Sequence, residues 1–278
     1  MMKVEEMNER DVQRLMTNAG YYRGDIDGDF GPRSRTAIEA ILNNRQSELT
    51  SGWKQWSLRR KGIAAGQLVL KYAGHEVNAI DGFVGPQTRF ALAEFDIIQS
   101  GGVIDNWRDN DEDIPETPLL STVWPREIEL TRFFGEAGGP QCSAGKVNLP
   151  FTMKIAWNKS QKITRFSCHE KVVDSADRIY RRIASAYSPS DISRLGFDLF
   201  GGCFNFRKKR GGSSLSVHSW GVAIDHDPNR NQLRWGRDRA TLAIKECEEF
   251  HRCWEAEGWL NLGRVRNYDW MHVQAVRF

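Results

Sequence analysis

The sequence predicts an all-α domain at residues 1–100 followed by an α+β domain at residues 121–278, a division that suits a chain of 278 residues. Three observations support this prediction. A motif in the N-terminal third recurs once, an acidic and proline-bearing segment follows at residues 101–120, and the remaining sequence mixes helical and strand patterns. Such a mixture, without regular strand–helix–strand units, favours an α+β domain.

The N-terminal domain is built on an internal repeat. The seven residues IDGDFGP at 26–32 recur as IDGFVGP at 80–86, an offset of 54 residues. A repeat at a fixed offset indicates a repeated structural unit. In each copy an apolar helical pattern precedes the motif, glycine and aspartate suit a tight loop, and proline suits the first turn of a second helix. The two copies span about residues 8–45 and 65–100.

Residues 101–120 predict a solvated linker between the domains. Six acidic residues and two prolines lie in this segment. High charge with low hydrophobicity disfavours a packed core. The acidic residues could instead bind a metal, but a charge run is more often a solvated segment.

The C-terminal domain combines predicted strands and helices. Extended segments are expected at residues 147–155, 202–207 and 222–224, and helices at 172–186 and 244–254. We expect the strands to form a small antiparallel sheet against which the helices pack. The apolar strand at 222–224 continues to Asp225, and its period-two alternation presents Ala223 and Asp225 on one side.

Composition limits the classes of function. The net charge of +3 and the pI near 8.6 suit a polyanionic surface such as a cell wall, but predict no nucleic-acid partner. No apolar run is long enough to span a bilayer, so no membrane insertion is expected. The N-terminal residues lack the apolar segment of a signal peptide, which predicts synthesis in the cytoplasm. The five cysteines form no C-x-x-C pair and are expected to be buried free thiols.

Two histidines and two carboxylates near the C-terminal end indicate a metal site. His218 and Asp225 lie in SVHSWGVAID at 216–225, and Asp269 and His272 lie in DWMH at 269–272. Catalytic zinc usually takes three protein ligands and leaves a fourth position for water. His218, Asp225 and His272 would fill those three positions. Asp269, one turn before His272, would accept a proton from the attacking water.

Each of these residues also has a structural interpretation. His218 could be a core imidazole, and Asp225 could cap the turn that follows it. The joint pattern favours the metal site. The other histidines are not expected to be ligands: His226 should face away from Asp225 as a neighbour of the site or a surface residue, and His251 lies on the apolar face of a predicted helix.

The spacing S-x-H-x-x-G-x-A-x-D followed by D-x-M-H-V resembles a family of zinc peptidases. This family includes the vancomycin-resistance-type D,D-carboxypeptidases and the phage L-alanyl-D-glutamate endolysins, and the resemblance covers residues 121–278. It implies Zn²⁺ as the cofactor, His218, Asp225 and His272 as its ligands, and Asp269 as the catalytic base.

The same resemblance implies two further site residues. The family has an arginine that polarises the scissile carbonyl, and Arg207 matches it best. Arg210 is a near alternative, because the run RKKR at 207–210 leaves the alignment open. Ser216, the first residue of the histidine motif, is expected to contact the substrate.

The N-terminal motif resembles the small three-helix peptidoglycan-binding repeats that accompany wall-degrading enzymes. In that family the Asp-Gly loop and the groove beside it hold the ligand, which implies Asp27 and Gly31, and Asp81 and Gly85, as wall-binding residues. The alternative is that each aspartate bonds to the backbone of its own loop and touches no ligand.

Together these resemblances predict a phage-type endolysin that acts as a monomer on peptidoglycan. It would be made in the host cytoplasm and reach the wall or periplasm after holin-type release. The expected reaction is zinc-dependent cleavage of the stem peptide, at the bond between L-alanine and D-glutamate. The alternatives are a bacterial D-Ala-D-Ala carboxypeptidase and a wall-binding protein without catalytic activity.

Overall fold

The computed structural model describes residues 7–77, 79–104 and 123–278. The chain divides into two compact units, Met1–Asp105 and Asn106–Phe278, each with its own hydrophobic core. The predicted linker at 101–120 lies outside the described residues from position 105 onward. Among the described residues, no helix is both long enough and apolar enough to cross a membrane.

Four α-helices form the first unit, two in each repeat. They are α1 (Glu9–Asn18), α2 (Pro32–Asn44), α3 (Leu58–Tyr72) and α4 (Pro86–Gln99). The prolines of the two repeated motifs open α2 and α4, as predicted. The three helices per repeat that the family resemblance implied are not found in the described residues. The first helix of the second repeat, α3, starts at Leu58.

A buried glutamine is hydrogen-bonded to the loop of each repeat. The Gln13 side-chain amide donates to Asp27 Oδ1 at 2.8 Å and to the Asp29 carbonyl at 2.9 Å. Its oxygen accepts from the Gly28 amide at 2.8 Å. Gln67 makes the equivalent three contacts to the loop residues 54 positions further on. Because the loop's backbone groups are satisfied by this side chain, the loop needs no helical hydrogen bonds.

A six-stranded sheet forms the centre of the second unit. In chain order the strands are β1 (Gly145–Ile155), β2 (Asn158–Cys168), β3 (Leu199–Gly202), β4 (Ala223–His226), β5 (Leu260–Asn261) and β6 (His272–Gln274). Their order across the sheet is β2-β1-β3-β4-β6-β5. The mixture of strands and helices is compatible with the predicted α+β fold.

The prediction of an antiparallel sheet is wrong at one pair of strands. β1 and β3 are parallel, whereas the other neighbouring strands are antiparallel. β2 and two helices connect β1 to β3. This long connection returns the chain to the end of the sheet where β1 began, so that β3 runs parallel to β1. The strand predicted at 202–207 also lies earlier, at Leu199–Gly202.

Six helices accompany this sheet in the described residues. They are α5 (Leu130–Phe134), α6 (Gln141–Ala144), α7 (Val173–Ala186), α8 (Pro189–Leu195), α9 (Glu248–Glu255) and α10 (Leu262–Arg266). The predicted helix at 172–186 is confirmed as α7, which buries Ala176, Ile179, Tyr180 and Ile183 at three-to-four spacing. Of the helix predicted at 244–254, the first turn is a 3₁₀ turn and α9 starts at Glu248.

Candidate metal centre

Two adjacent strands and one turn bring His218, Asp225 and His272 together. β4 and β6 pair antiparallel with Asp225 opposite His272, and side chains of directly opposed residues lie on the same face of a sheet. His218 lies in the 3₁₀ turn Val217–Trp220 that leads into β4. All three side chains are buried and offer nitrogen or oxygen atoms that lie within 4.8 Å of one another, so this group could hold a metal ion.

Gly221 lets the chain turn between His218 and β4. Its φ of +67° lies in the left-handed region, which a residue with a Cβ atom adopts only with strain. A Cβ at this position would also lie 2.0 Å from the carbonyl oxygen of Cys142. The glycine of the motif is therefore required both by the turn and by the backbone packed behind it.

The distances within the group suit a tetrahedral metal site. His218 Nε2 lies 3.3 Å from Asp225 Oδ1 and 3.1 Å from His272 Nδ1, and that nitrogen lies 3.0 Å from Asp225 Oδ1. Bonds of about 2.0–2.1 Å at tetrahedral angles separate ligand atoms by about 3.3 Å. The three atoms are thus close to the spacing that a bound zinc ion requires.

Each imidazole has a hydrogen-bond acceptor on the side away from the group. His218 Nδ1 lies 2.6 Å from the Cys203 carbonyl oxygen, and His272 Nε2 lies 3.0 Å from Gln274 Oε1. Because these oxygens can only accept, the two outward nitrogens carry the hydrogens. With a metal bound, the inward nitrogens, His218 Nε2 and His272 Nδ1, would be the ones that present lone pairs to it. Such outer contacts are typical of metal-binding histidines.

The charge states also suit metal binding. Burial alone would raise the pKa of the Asp225 carboxyl, but the adjacent His218 and His272 imidazoles hold that pKa well below its usual value. Burial lowers the pKa of His218, although the charge of Asp225 partly opposes this. A carboxylate and neutral imidazoles are the forms that bind a metal. The low pKa of Asp225 keeps it a carboxylate, the form that could bind a cation together with the two imidazoles.

The same small cavity contains the predicted catalytic residues. Besides the three residues of the group it is lined by Arg207, Arg210, Ser216, Leu233, Asp269 and Met271. Asp269 is buried and has a φ of +56°, a left-handed conformation that aspartate tolerates better than most residues. Its amide donates to the Leu233 carbonyl and its carbonyl accepts from the His272 amide, both at 2.9 Å. Asp269 therefore lies one hydrogen-bonded turn before His272.

Arg207 is held next to the histidine turn by its backbone. Its amide donates to Ser219 Oγ at 3.1 Å, and its carbonyl accepts from Ser219 Oγ and from the Ser216 amide, both at 2.9 Å. These backbone contacts place Arg207 beside His218 in any conformation of the arginine side chain. Arg210 is more deeply buried than Arg207 and lines the same cavity.

Ser216 supports the histidine turn directly. Its hydroxyl oxygen accepts from the His218 backbone amide at 3.4 Å, at the start of the 3₁₀ turn. The residue is buried and reaches the cavity wall.

The remaining histidines of this unit have structural partners. His226 faces away from Asp225 as predicted, but it is fully buried rather than at the surface, and its Nε2 lies 2.9 Å from Tyr180 Oη. Burial lowers the pKa of His226 to about 3. His251 donates from Nε2 to the Leu242 carbonyl at 2.8 Å, which confirms it as a core residue. His169 donates to the Phe134 carbonyl at 2.8 Å.

The predicted wall-binding residues lie far from this cavity in sequence, in the loops of the helical unit. Asp27 Oδ1 accepts from the Asp29 amide and from Gln13, and Asp81 Oδ1 makes the equivalent contacts in the second repeat. Both aspartates therefore bond to their own loops, which is the alternative interpretation. Gly31 and Gly85 lie at the N-caps of α2 and α4.

The two loops differ in exposure. Ile26 of the first loop is 42% exposed, whereas Ile80 of the second is 2% exposed. Arg60 covers the second loop: its guanidinium lies 4.3 Å from the Phe83 ring centre and its Nε donates to the Asp81 carbonyl at 2.9 Å. The first loop is open to solvent and the second is largely enclosed.

Some functional residues were not predicted. Gln274 follows His272 by two positions and therefore shares its face of β6, and this spacing was the available signal. Gln13 and Gln67 are 54 residues apart, so the repeat extends to them. The sequence could not indicate the role of the Cys203 carbonyl, because any residue type can supply a backbone oxygen.

Comparisons of this chain with protein-family models, with curated proteins and with solved structures found no match.

Proposed function

We propose that this protein is a zinc-dependent peptidase that cleaves the stem peptide of peptidoglycan. The observation that carries this proposal is the convergence of His218, Asp225 and His272 with Asp269 and an arginine around one cavity. Two histidines and one carboxylate form the ligand set of many catalytic zinc sites. A carboxylate and a guanidinium beside such a set are the groups that peptide hydrolysis uses.

The chain's own residues would divide the chemistry as follows. His218 Nε2, Asp225 and His272 Nδ1 would hold zinc, which when bound supplies a Lewis acid that polarises a carbonyl and makes water more acidic. Asp269 would accept a proton from the attacking water and return it to the leaving amine. Arg207 would donate hydrogen bonds to the oxyanion that develops on the scissile carbonyl.

The proposed substrate rests on the resemblance of the sequence motifs. The histidine motif is similar to that of peptidases acting on stem peptides, and the helical repeats are similar to wall-binding modules. An aspartate at position 269 is the choice of the phage branch of that family, so we propose the bond between L-alanine and D-glutamate. The protein would then act as an endolysin, made in the host cytoplasm and released to the wall.

We further propose that wall binding occurs at the first repeat. Its loop is exposed around Ile26 and Asp27, whereas Arg60 encloses the corresponding part of the second loop. A surface that is already covered by its own side chains offers less area to a ligand. The second repeat would then serve as the scaffold of the helical unit.

Mass spectrometry of digested sacculi tests the proposal most directly. Zinc-loaded protein should release peptides with new N-terminal glutamate and leave glycan strands whose lactyl groups each carry a single alanine. Removal of zinc with a chelator should stop the release, and zinc added back should restore it. Sacculi treated with a His272→Ala variant provide the matched control.

Other products would change the assignment. Free terminal D-alanine alone would identify a D,D-carboxypeptidase. New reducing sugar ends would contradict the peptidase proposal altogether. Intact sacculi that nevertheless retain the protein would identify a wall-binding protein without catalytic activity.

A further inference from the structure

We propose that Asn267 is a positioning residue that holds Asp269 in the orientation from which it can accept a proton. This inference rests on the proposed function, in which Asp269 is the base. Asn267 and Asp269 have φ values of +55° and +56°, so two residues of one turn adopt the left-handed conformation. Residues with a Cβ atom rarely adopt this conformation, and it persists only where surrounding contacts hold it in place.

The contacts that hold this turn come from residues 233–237. Asp269 donates its backbone amide to the Leu233 carbonyl oxygen at 2.9 Å. Asn267 Oδ1 accepts from the Arg237 backbone amide at 2.7 Å. A backbone amide can only donate, so the side-chain oxygen of Asn267, and not its nitrogen, faces Arg237. The turn is therefore fixed to this segment at two points.

The segment that supports the turn is itself anchored on its other side. Asn231 is fully buried, and its Nδ2 donates to the Asp227 carbonyl at 3.0 Å while its Oδ1 accepts from the Leu242 amide at 2.7 Å. The fit to the turn is also close, because a Cβ atom built on Gly236 would lie 3.2 Å from the Asn267 carbonyl oxygen. A hydrogen bond to such a support determines the position of the turn.

Asn267 can act on Asp269 without acting on the metal ligands. Its side chain is exposed and is not part of the cavity wall, whereas Asp269 is buried and lines the cavity. His272, the proposed ligand nearest in sequence, is held by the pairing of β6 with β4. Loss of the Arg237–Asn267 hydrogen bond would leave the Leu233 contact and the strand pairing in place. The start of the turn would move more freely, and the Asp269 carboxylate would spend less time facing the cavity.

Two substitutions separate the hydrogen bond from the backbone conformation. Asn267→Gly permits the left-handed conformation but removes the acceptor, and Asn267→Asp keeps both. A shift of a catalytic group by about 1 Å can cost about 100-fold in rate. We therefore expect Asn267→Gly to lower kcat on a soluble muropeptide by about 10- to 100-fold with little change in KM, and Asn267→Asp to retain most of the original kcat.

A double variant tests whether Asn267 acts through Asp269. In the Asp269→Asn background the base is already lost, so Asn267→Gly should lower the residual rate no further. If Asn267 only stabilised the fold, the two losses in rate would multiply. Competition with a chelating zinc indicator should give the same zinc affinity for the original protein and all of these variants.

Amide hydrogen exchange of the full-length protein gives a readout that does not depend on peptide cleavage. The Arg237 and Asp269 amides should exchange slowly in the original protein and in Asn267→Asp, and faster in Asn267→Gly. The Ala275 amide, which donates to the Val222 carbonyl at 2.9 Å, is the internal control and should exchange at the same rate in all three proteins.

Fast exchange of the Arg237 amide in the original protein would overturn the inference, even if the variants failed to fold. So would an unchanged kcat in Asn267→Gly, a loss of kcat that multiplies with that of Asp269→Asn, or a zinc affinity that falls together with kcat. A protein with the expected exchange rates that released no stem peptides would contradict the proposed function and leave the contact that holds Asp269 intact.

Discussion

At the scale of single residues, the candidate site depends on hydrogen bonds that hold its residues in place. The outward nitrogens of His218 and His272 lie against the Cys203 carbonyl oxygen and Gln274 Oε1, so the other nitrogen of each ring faces Asp225. Asp269 and Arg207 are held at the same cavity by backbone hydrogen bonds, which include one from the His272 amide to the Asp269 carbonyl. Removal of a catalytic side chain should therefore leave metal binding intact.

Asp269→Asn should retain zinc and lose about 10²–10⁴-fold in the rate of peptide release, because general-base catalysis contributes about that much. Asparagine keeps the shape of the side chain but cannot accept the proton. Atomic absorption measures the retained zinc, and the rate of peptide release from sacculi measures the activity. His218→Ala is the control that should lose both, and a fully active Asp269→Asn would contradict the role of Asp269 as base.

Arg207→Ala should lower kcat by about 10²–10³-fold, the usual effect of one oxyanion donor, and Arg210→Ala should lower it less. The reason is the backbone of Arg207, which is bonded to the turn that carries His218. Steady-state kinetics on a soluble muropeptide would compare the two variants at equal zinc content. A larger loss in Arg210→Ala would transfer the oxyanion role to that residue.

His251 should make the stability of the second unit dependent on pH. Burial lowers the pKa of His251 from 6.5 to about 4, so the unfolded chain binds a proton that the folded protein excludes. The stability contributed by neutral His251 is present above pH 6.5 and is lost as the pH falls toward 4. Between pH 7.5 and pH 5 the loss should be about 2 kcal/mol.

Urea unfolding of the original protein and of His251→Gln at both pH values isolates this contribution. Glutamine keeps an N–H that can reach the Leu242 carbonyl but does not titrate. Relative to the original protein, the variant should be more stable at pH 5 than at pH 7.5, because only the original protein loses the contribution of neutral His251. A constant difference at the two pH values would mean that His251 is not kept neutral by burial.

At the scale of elements, each helical repeat depends on one glutamine that connects its first helix to its loop. Gln13 and Gln67 are buried and make matching contacts at positions 54 residues apart. In each repeat the glutamine side chain satisfies one carbonyl and one amide of the loop backbone.

Gln13→Ala and Gln67→Ala should each destabilise the helical unit by about 1–3 kcal/mol, because each leaves buried polar groups of its loop without their partner. Thermal unfolding of residues 1–104 gives the comparison. Gln99→Ala, at the exposed end of α4, is a matched control and should have little effect. Equal stability of the Gln13→Ala variant and the original fragment would show that water replaces the glutamine.

At the scale of the whole molecule, the chain consists of two units that each bury their own apolar residues. The first core includes Leu15, Ile38 and Leu68, and the second includes Ile179, Trp254 and Val273. A unit with its own core can fold alone. The proposed functions divide in the same way, with wall binding in the first unit and peptide cleavage in the second.

Residues 121–278 alone should therefore bind zinc and cut soluble muropeptides at close to the full-length rate, but should bind and lyse sacculi poorly. Residues 1–104 should sediment with sacculi. Cosedimentation and muropeptide assays on the two fragments and the full chain measure this. If residues 1–104 stayed in solution, the wall-binding proposal for the repeats would be wrong, whatever the peptidase fragment did.

The sequence alone was sufficient to select the metal-binding group and the helix-opening prolines. His218 and Asp225 lie in one motif, and His272 lies in a second motif on the strand that pairs with β4. Proline suits the first turn of a helix, so Pro32 and Pro86 indicate the starts of α2 and α4 from local sequence. The assignments of peptidoglycan, zinc and the cleaved bond remain predictions from resemblance.

The tertiary structure decided what depends on contacts between distant segments. The parallel pairing of β1 and β3 follows from the path of the chain through β2 and α7, which no local pattern specifies. The enclosure of the second loop by Arg60 appears only when α3 is folded against that loop. The outward nitrogens of His218 and His272 face acceptors at Cys203 and Gln274, and hydrogen bonds of this kind exist only once the strands are paired.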